Sequence, residues 1–289
     1  MSDDGRHGLT LIAFVGSVFS PYYARARRRG GTDPANHCAF NVALYGGRGG
    51  RWSMTERGAD QLRRGPSQLC IGPSSMRWTG EALEMEVNEI CAPIPRRVRG
   101  KIRLIPSALC EHSVSLDGLG LHRWTPFAPC ARIEVALSEP ALKWSGVGYL
   151  DSNAGAEPLE NAFSDWTWSR ASLAASTVVL YDVGLRDAAA RAFAFKFAAN
   201  GTVEEIEPPQ SAALPGTGWR LSRHTRADAG QPVRVIKTLE DAPFYSRTLL
   251  DTCLLGARVP AIHEGLDLNR FASLWVQCLL PFRMPRIAF

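Results

Sequence analysis

Two short motifs hold side chains able to exchange protons: "HRW" at 122–124 and "YLD" at 149–151. In an extended strand, residues i and i+2 project to the same side. His122 and Trp124 therefore pair on one face. Tyr149 and Asp151 do the same, with Asn153 next in line. Two such strands facing one cavity would present an imidazole, an indole, a phenol and a carboxyl. That wall suits acid–base chemistry on an apolar substrate. Bland readings stand beside this one. Asp151 opens "DSNAG", which also reads as a turn stabilised by its aspartate. A lone His122 also reads as a structural histidine.

Other chemistries lack their residues. D-x-N-x-G at 151–155 resembles a calcium loop, but Ala156 stands where glycine is needed and Ala162 where glutamate is needed. "HEGLD" (263–267) lacks the second histidine of a zinc helix. No G-x-S-x-G, phosphate-binding loop or G-x-G-x-x-G occurs. The seven cysteines (38, 70, 91, 110, 130, 253 and 278) form no C-x-x-C pair. Their odd number and scatter fit reduced cytosolic thiols better than zinc or disulfides. Neither a metal nor a cofactor is expected.

The elements that must position these residues are mostly strands. "LEMEVNE" (83–89) alternates Leu83, Met85 and Val87 with Glu84, Glu86 and Asn88, and "ARIEVAL" (131–137) repeats the pattern. Phe193, Phe195 and Phe197 alternate up to Asn200-Gly201, a strong hairpin signal. Further strands are expected at 9–19, 38–45, 101–106, 177–183, 232–239 and 272–282, with short helices only at 59–64, 169–175 and 187–192. Strands at this spacing, with 26 Gly and 19 Pro to turn them, predict an all-β antiparallel sandwich or barrel. The Pro/Gly-rich stretch 207–218 reads as a linker. It would separate a larger N-terminal domain (1–207) carrying the site from a smaller C-terminal one (215–289).

Charge narrows the partners. The net charge is +5, concentrated in "RARRRGG" (25–31) and "PRRVRGK" (95–101). Without interleaved aromatics or a recognition-helix pattern, these clusters do not read as a nucleic-acid site. They suit a solvated face or an anionic bilayer surface. The run at 9–19 follows Asp3 and Asp4 rather than a basic lead, and Gly16, Ser17 and Pro21 interrupt it. It reads as a buried strand. No stretch reaches the ~18 apolar residues of a membrane helix.

Taken together, several blocks resemble one family. These are "GLTLIAFVGSVFSPYY" (8–23), "RWSMTERG" (51–58), "IGPSSMRWTG" (71–80), "HRWTPFAPCARIEV" (122–135), "GYLDSNAGAEPLE" (148–160) and "WTWSRA" (166–171). They resemble, in order, the acyclic carotenoid 1,2-hydratases, the hydroxyneurosporene synthases of purple bacteria. Arg25 departs from the tryptophan of that pattern. The resemblance implies tandem lipocalin-like β domains with few short helices. It also implies cofactor-independent addition of water to the C1=C2 bond of neurosporene or lycopene. By the same resemblance, Asp151, His122, Tyr149 and Trp124 form the catalytic set, with Asp151 as proton donor. Asn153, Trp144, Tyr22 and Tyr23 are the candidate substrate contacts. A water-insoluble polyene further implies a cytoplasmic protein in peripheral contact with the inner membrane, through the Arg clusters or the apolar stretch 273–289. Two other classes fit the same wall: a non-catalytic carotenoid carrier and a polyene cyclase.

Overall fold

The computed structural model describes residues 1–47 and 50–287. The chain divides into two compact units, neither of them a continuous segment.

The first unit comprises Met1–Pro106, Ala131–Gly148 and Gln277–Phe289. Strands β1 (Gly8–Val15), β2 (Cys38–Tyr45) and β3 (Arg51–Met54) make one antiparallel sheet. β1 and β2 stay in register from Gly8↔Tyr45 to Val15↔Cys38. A second sheet is a meander of β4 (Leu62–Arg64), β5 (Gln68–Ile71), β6 (Ser74–Trp78), β7 (Leu83–Ile90) and β8 (Arg97–Pro106). Cys38, Phe40 and Ile71 form a core with Leu11, Val15, Leu69 and Met76 packed around it. β7 follows its sequence alternation: Leu83, Met85 and Val87 are buried and Glu86 is exposed. After β9 (Val114–Ser115), the meander continues through β10 (His122–Glu139) onto β11 (Ala141–Gly155). β10 and β11 divide between the units at Ala131 and at Gly148.

The second unit comprises Ser107–Cys130 and Tyr149–Val276. Its strands are β12 (Phe163–Ser172), β13 (Ser176–Leu185), β14 (Arg191–Ala198), β15 (Val203–Glu205), β16 (Gln210–Leu214), β17 (Arg223–Ala227), β18 (Arg234–Asp241), β19 (Tyr245–Leu254) and β20 (Ala257–Asp267). Seven of them form an antiparallel sheet in the order β15-β14-β13-β12-β20-β19-β18. β16 and β17 pair only with each other. They cover one face of the large sheet, where Ala171, Val178, Leu180, Leu214, Leu250 and Ala261 form the core. The other face carries the candidate site. The hairpin expected at Asn200-Gly201 is present, with Gly201 at φ +89°.

Several expectations need correction. The helix expected at 169–175 is the end of β12, because pairing with both neighbours outweighs local Ala/Ser propensity. Residues 59–61 make one 3₁₀ turn before β4, and β14 begins at Arg191. The strand expected at 272–282 is helical over Leu274–Leu279, followed by a 3₁₀ turn. A short apolar run does not reveal its type by periodicity alone. Residues 288–289 of the apolar stretch 273–289 lie outside the described residues. The expected linker contains β16, since its prolines flank a strand rather than replace one. Residues 207–215 belong to the second unit. No helix among the described residues is long and apolar enough to cross a membrane.

Candidate active site

The site is built on the inner face of the second unit's large sheet. Directly paired residues on antiparallel strands project to the same side. Following the register gives one row across six strands: Glu240, Arg247, Glu264, Trp168, Tyr181 and Phe193. The adjacent row runs Leu249, Ile262, Arg170, Val179 and Phe195. One half of this face is thus ionic and the other aromatic. Trp166, Trp168 and Arg170 retain accessible surface, whereas Thr167, Ser169 and Ala171 on the opposite face are buried. On the same inner face Tyr181, Val179, Phe195 and Arg247 are buried.

The two sequence motifs meet over this face. A backbone bond from Ala156 N to Leu121 O (2.9 Å) joins the chain just outside each motif. Trp124 Nε1 donates to Asp151 Oδ2 at 2.8 Å, and the Tyr149 hydroxyl donates to the same oxygen at 3.0 Å. Among the described residues, no donor reaches Oδ1. Burial pushes the Asp151 carboxyl up to about 6, with the Glu264 charge acting in the same direction. The bonds from Trp124 and Tyr149, together with the Arg170 cation, oppose that rise. Asp151 keeps some accessible surface. Burial and the neighbouring Asp151 charge push the Tyr149 hydroxyl well above its ordinary value, so it remains a donor.

Aromatic rings enclose this carboxyl. The Trp124 ring lies 5.6 Å from Tyr181, 5.9 Å from Phe195 and 6.2 Å from Phe197. Tyr149 lies 5.3 Å from Trp168, and the Arg170 guanidinium sits 5.2 Å from the Tyr149 ring centre.

His122 stands apart from the Asp151 carboxyl. Its Nδ1 lies 2.6 Å from Asp117 Oδ2, and its ring packs edge-on against Phe163 at 4.8 Å. Burial works against the Asp117 carboxylate, but hydrogen bonds from His122 and from the Leu121 and Gly120 backbone hold it below its ordinary value. Among the described residues, His122 Nε2 has no hydrogen-bond partner. A Cβ on Gly155 would lie 2.9 Å from His122 Cδ2, so only glycine lets β11 pass this close.

Of the substrate contacts expected from sequence, Asn153 is exposed and accepts a hydrogen bond from the Tyr181 hydroxyl at 3.2 Å. Trp144, Tyr22 and Tyr23 belong to the first unit. There Tyr23 packs on His37 at 4.7 Å. Tyr181, Arg247 and Glu264 were not legible as site residues, because each arrives from a distant part of the chain, and Asp117 was not because the loop that turns it onto His122 has no periodic signal. The Trp166-x-Trp168-x-Arg170 alternation was a usable signal. Among the described residues, no group of three or more His, Cys, Asp or Glu side chains is arranged to hold a metal ion.

Residues 11–288 match the sequence model of the family described as Carotenoid hydratase CrtC. The chain is 57% identical over 288 residues to an acyclic carotenoid 1,2-hydratase of Thiocapsa roseopersicina, an alignment covering 99% of this chain and 71% of that protein. It is 51% identical to the acyclic carotenoid 1,2-hydratase of Rubrivivax gelatinosus, covering 100% and 72%. A solved structure assigned to AttH, from Nitrosomonas europaea, superposes with a TM-score of 0.59 at 12% identity, covering 79% of this chain and 80% of that one. That likeness supports the lipocalin-like β fold alone.

Proposed function

The chain belongs to the carotenoid hydratase family, and from that membership and the Trp124–Tyr149–Asp151 group we propose that it hydrates the C1=C2 bond of an acyclic carotenoid such as lycopene or neurosporene. The observation that carries this reading is a buried carboxyl with one oxygen engaged by two donors and the other free, held near neutrality. An exposed aspartate, with a pKa near ~3.9, is protonated in about one molecule in a thousand at pH 7. A carboxyl at about 6 is protonated in roughly one in ten.

The addition is redox-neutral. Protonated Asp151 gives its proton to C2, forming the C2–H bond and leaving a tertiary cation at C1. The faces of Trp124 and its aromatic neighbours stabilise that cation, by roughly 2 kcal/mol per well-placed ring when desolvated. Water adds at C1 and forms the C–O bond. The resulting oxonium passes a proton to the Asp151 carboxylate, which restores the acid. Tyr149 and Trp124 hold the carboxyl in both states. His122, fixed by Asp117, leaves its Nε2 for a further hydrogen bond.

The test is incubation with lycopene in liposomes made up in deuterated water, followed by mass spectrometry. The expected product is heavier by one water and carries deuterium at C2. Asp151→Asn should lower its formation about 10²–10⁴-fold, the range of a general acid. Lycopene recovered bound but unchanged would establish a carrier instead, and an isomer of unchanged mass a cyclase.

The same reading includes peripheral contact with an anionic bilayer, from which an insoluble polyene must be drawn. The helix Pro21–Arg28 ends in Arg25, Arg27 and Arg28, followed by exposed Arg29. Separately, Leu274 (76% exposed) and Trp275 (48%) face outward, with Trp275 6.1 Å from the exposed Trp219 ring. Each arginine near such a surface contributes about 1 kcal/mol. Reversing Arg27, Arg28 and Arg29 to Glu should abolish flotation with phosphatidylglycerol vesicles, and unchanged flotation would overturn this contact.

A further inference from the structure

The hydration just proposed needs one ordered water at C1 in a chamber that otherwise repels water. We propose that Glu264 and Trp168 position that water where the ionic half of the inner face meets the aromatic half that receives the polyene. The inference rests on the hydratase reading and assigns it two further residues.

Three observations converge. Glu264 and Trp168 are direct cross-strand partners, so both side chains rise from the same face at neighbouring positions. Glu264 is fixed by Arg247, whose Nε and Nη2 donate to one oxygen, Oε1, at 3.0 and 2.7 Å. Arg247 is only 3% exposed and is held from its other side by Glu240, Nη1 to Oε1 at 3.0 Å. Both bonds to Glu264 end on Oε1, which leaves Oε2 as an acceptor on a side chain that retains accessible surface. Trp168 supplies the complement. Its indole N–H is buried and has no hydrogen-bond partner among the described residues, although a buried donor of this kind is normally satisfied. Its ring also packs against Tyr149, a donor to Asp151. A water accepting from Trp168 Nε1–H and donating to Glu264 Oε2 would be held beside the acid with a lone pair left to attack C1. Its second proton would go to Asp151.

The charge arrangement suits this role. Glu264 is ion-paired with Arg247, and Arg247 in turn is shared with Glu240. The aromatic half, with Tyr181, Phe195 and Phe197 around Trp124, has no such anchor for water. Protonation and water attack therefore depend on different residues, and the two steps can be separated.

Deuterium separates them. In deuterated water, Asp151 delivers deuterium to C2. A cation that finds no water returns a proton from C2 to Asp151 and reappears as labelled lycopene. Glu264→Gln keeps the side-chain volume and should lower hydration about 100-fold, the loss typical of a misplaced reactant, while label continues to enter recovered lycopene. Trp168→Phe keeps the ring against Tyr149, removes only the N–H and should give the same split. It also serves if the Glu264 variant fails to fold. Hydration at the wild-type rate in both variants would overturn the proposal. So would loss of labelling and hydration in parallel, which would mark the two residues as structural supports of the acid. A wild-type protein that neither hydrates nor labels lycopene would instead overturn the hydratase reading on which this one stands.

Discussion

At the scale of single residues, Asp151 is set by a balance of opposed effects, and that balance fixes its pH response. Burial raises its carboxyl to about 6, while the hydrogen bonds from Trp124 and Tyr149 favour the anion and limit the rise. The acid is active when protonated, so kcat/KM should be level below about pH 6 and fall tenfold per unit above it. Trp124→Phe removes a donor that stabilises the carboxylate. The descending limb should therefore move to higher pH, even as the loss of the indole lowers the plateau. Rates measured from pH 5 to 9 on lycopene liposomes check both effects. A limb that stays in place in Trp124→Phe would remove that hydrogen bond from the account.

At the scale of elements, the strands carrying the site were legible and the residues facing them were not. Alternation at 122–124 and 149–151 placed each pair on one face, because strand geometry is local. What the alternation could not give was the partner of each pair. Asp117 reaches His122 through the loop Leu116–Leu121, and Glu264 reaches Trp168 through a pairing between strands nearly a hundred residues apart. Gly155 shows the same limit. Its spacing after Asp151 suggested a turn, yet β11 runs through it, and the glycine is required because the His122 ring lies against the backbone there. The helix expected at 169–175 was misread for a related reason: its start lies in β12, paired on both sides, and that pairing outweighs local propensity. The one expected at 187–192 is a connection leading into β14 at Arg191.

At the scale of the whole molecule, chain order and spatial order diverge, and this yields a test of the architecture. The Pro/Gly-rich stretch 207–218 invites a cut that would free residues 1–207 as a domain. In the structure such a cut removes β16 to β20. Strand β12 would lose every pairing from Asp165↔Asp267 to Ala171↔Ala261. Ala171, Val178, Leu180 and Ala194 would lose Leu214, Leu250, Leu254 and Ala261 from their core. The first unit would suffer as well, because its last segment comes from the C-terminus. There Glu56 N bonds to Pro285 O at 2.9 Å, Ile287 N bonds to Glu56 O at 3.0 Å, and Arg286 pairs with the buried Glu56 carboxylate. Removing Arg286 leaves that carboxylate with His37 as its remaining side-chain partner, 2.9 Å away. An unpaired sheet edge beside an exposed apolar core aggregates, and a buried charge stripped of a partner destabilises strongly. The fragment 1–207 should therefore be insoluble or melt without a cooperative transition by circular dichroism, whereas the full chain melts cooperatively. A soluble fragment with native near-ultraviolet signal and a sharp transition would show that the two discontinuous units are not the folding units. A continuous N-terminal domain would then have to hold Asp151 in place without β20.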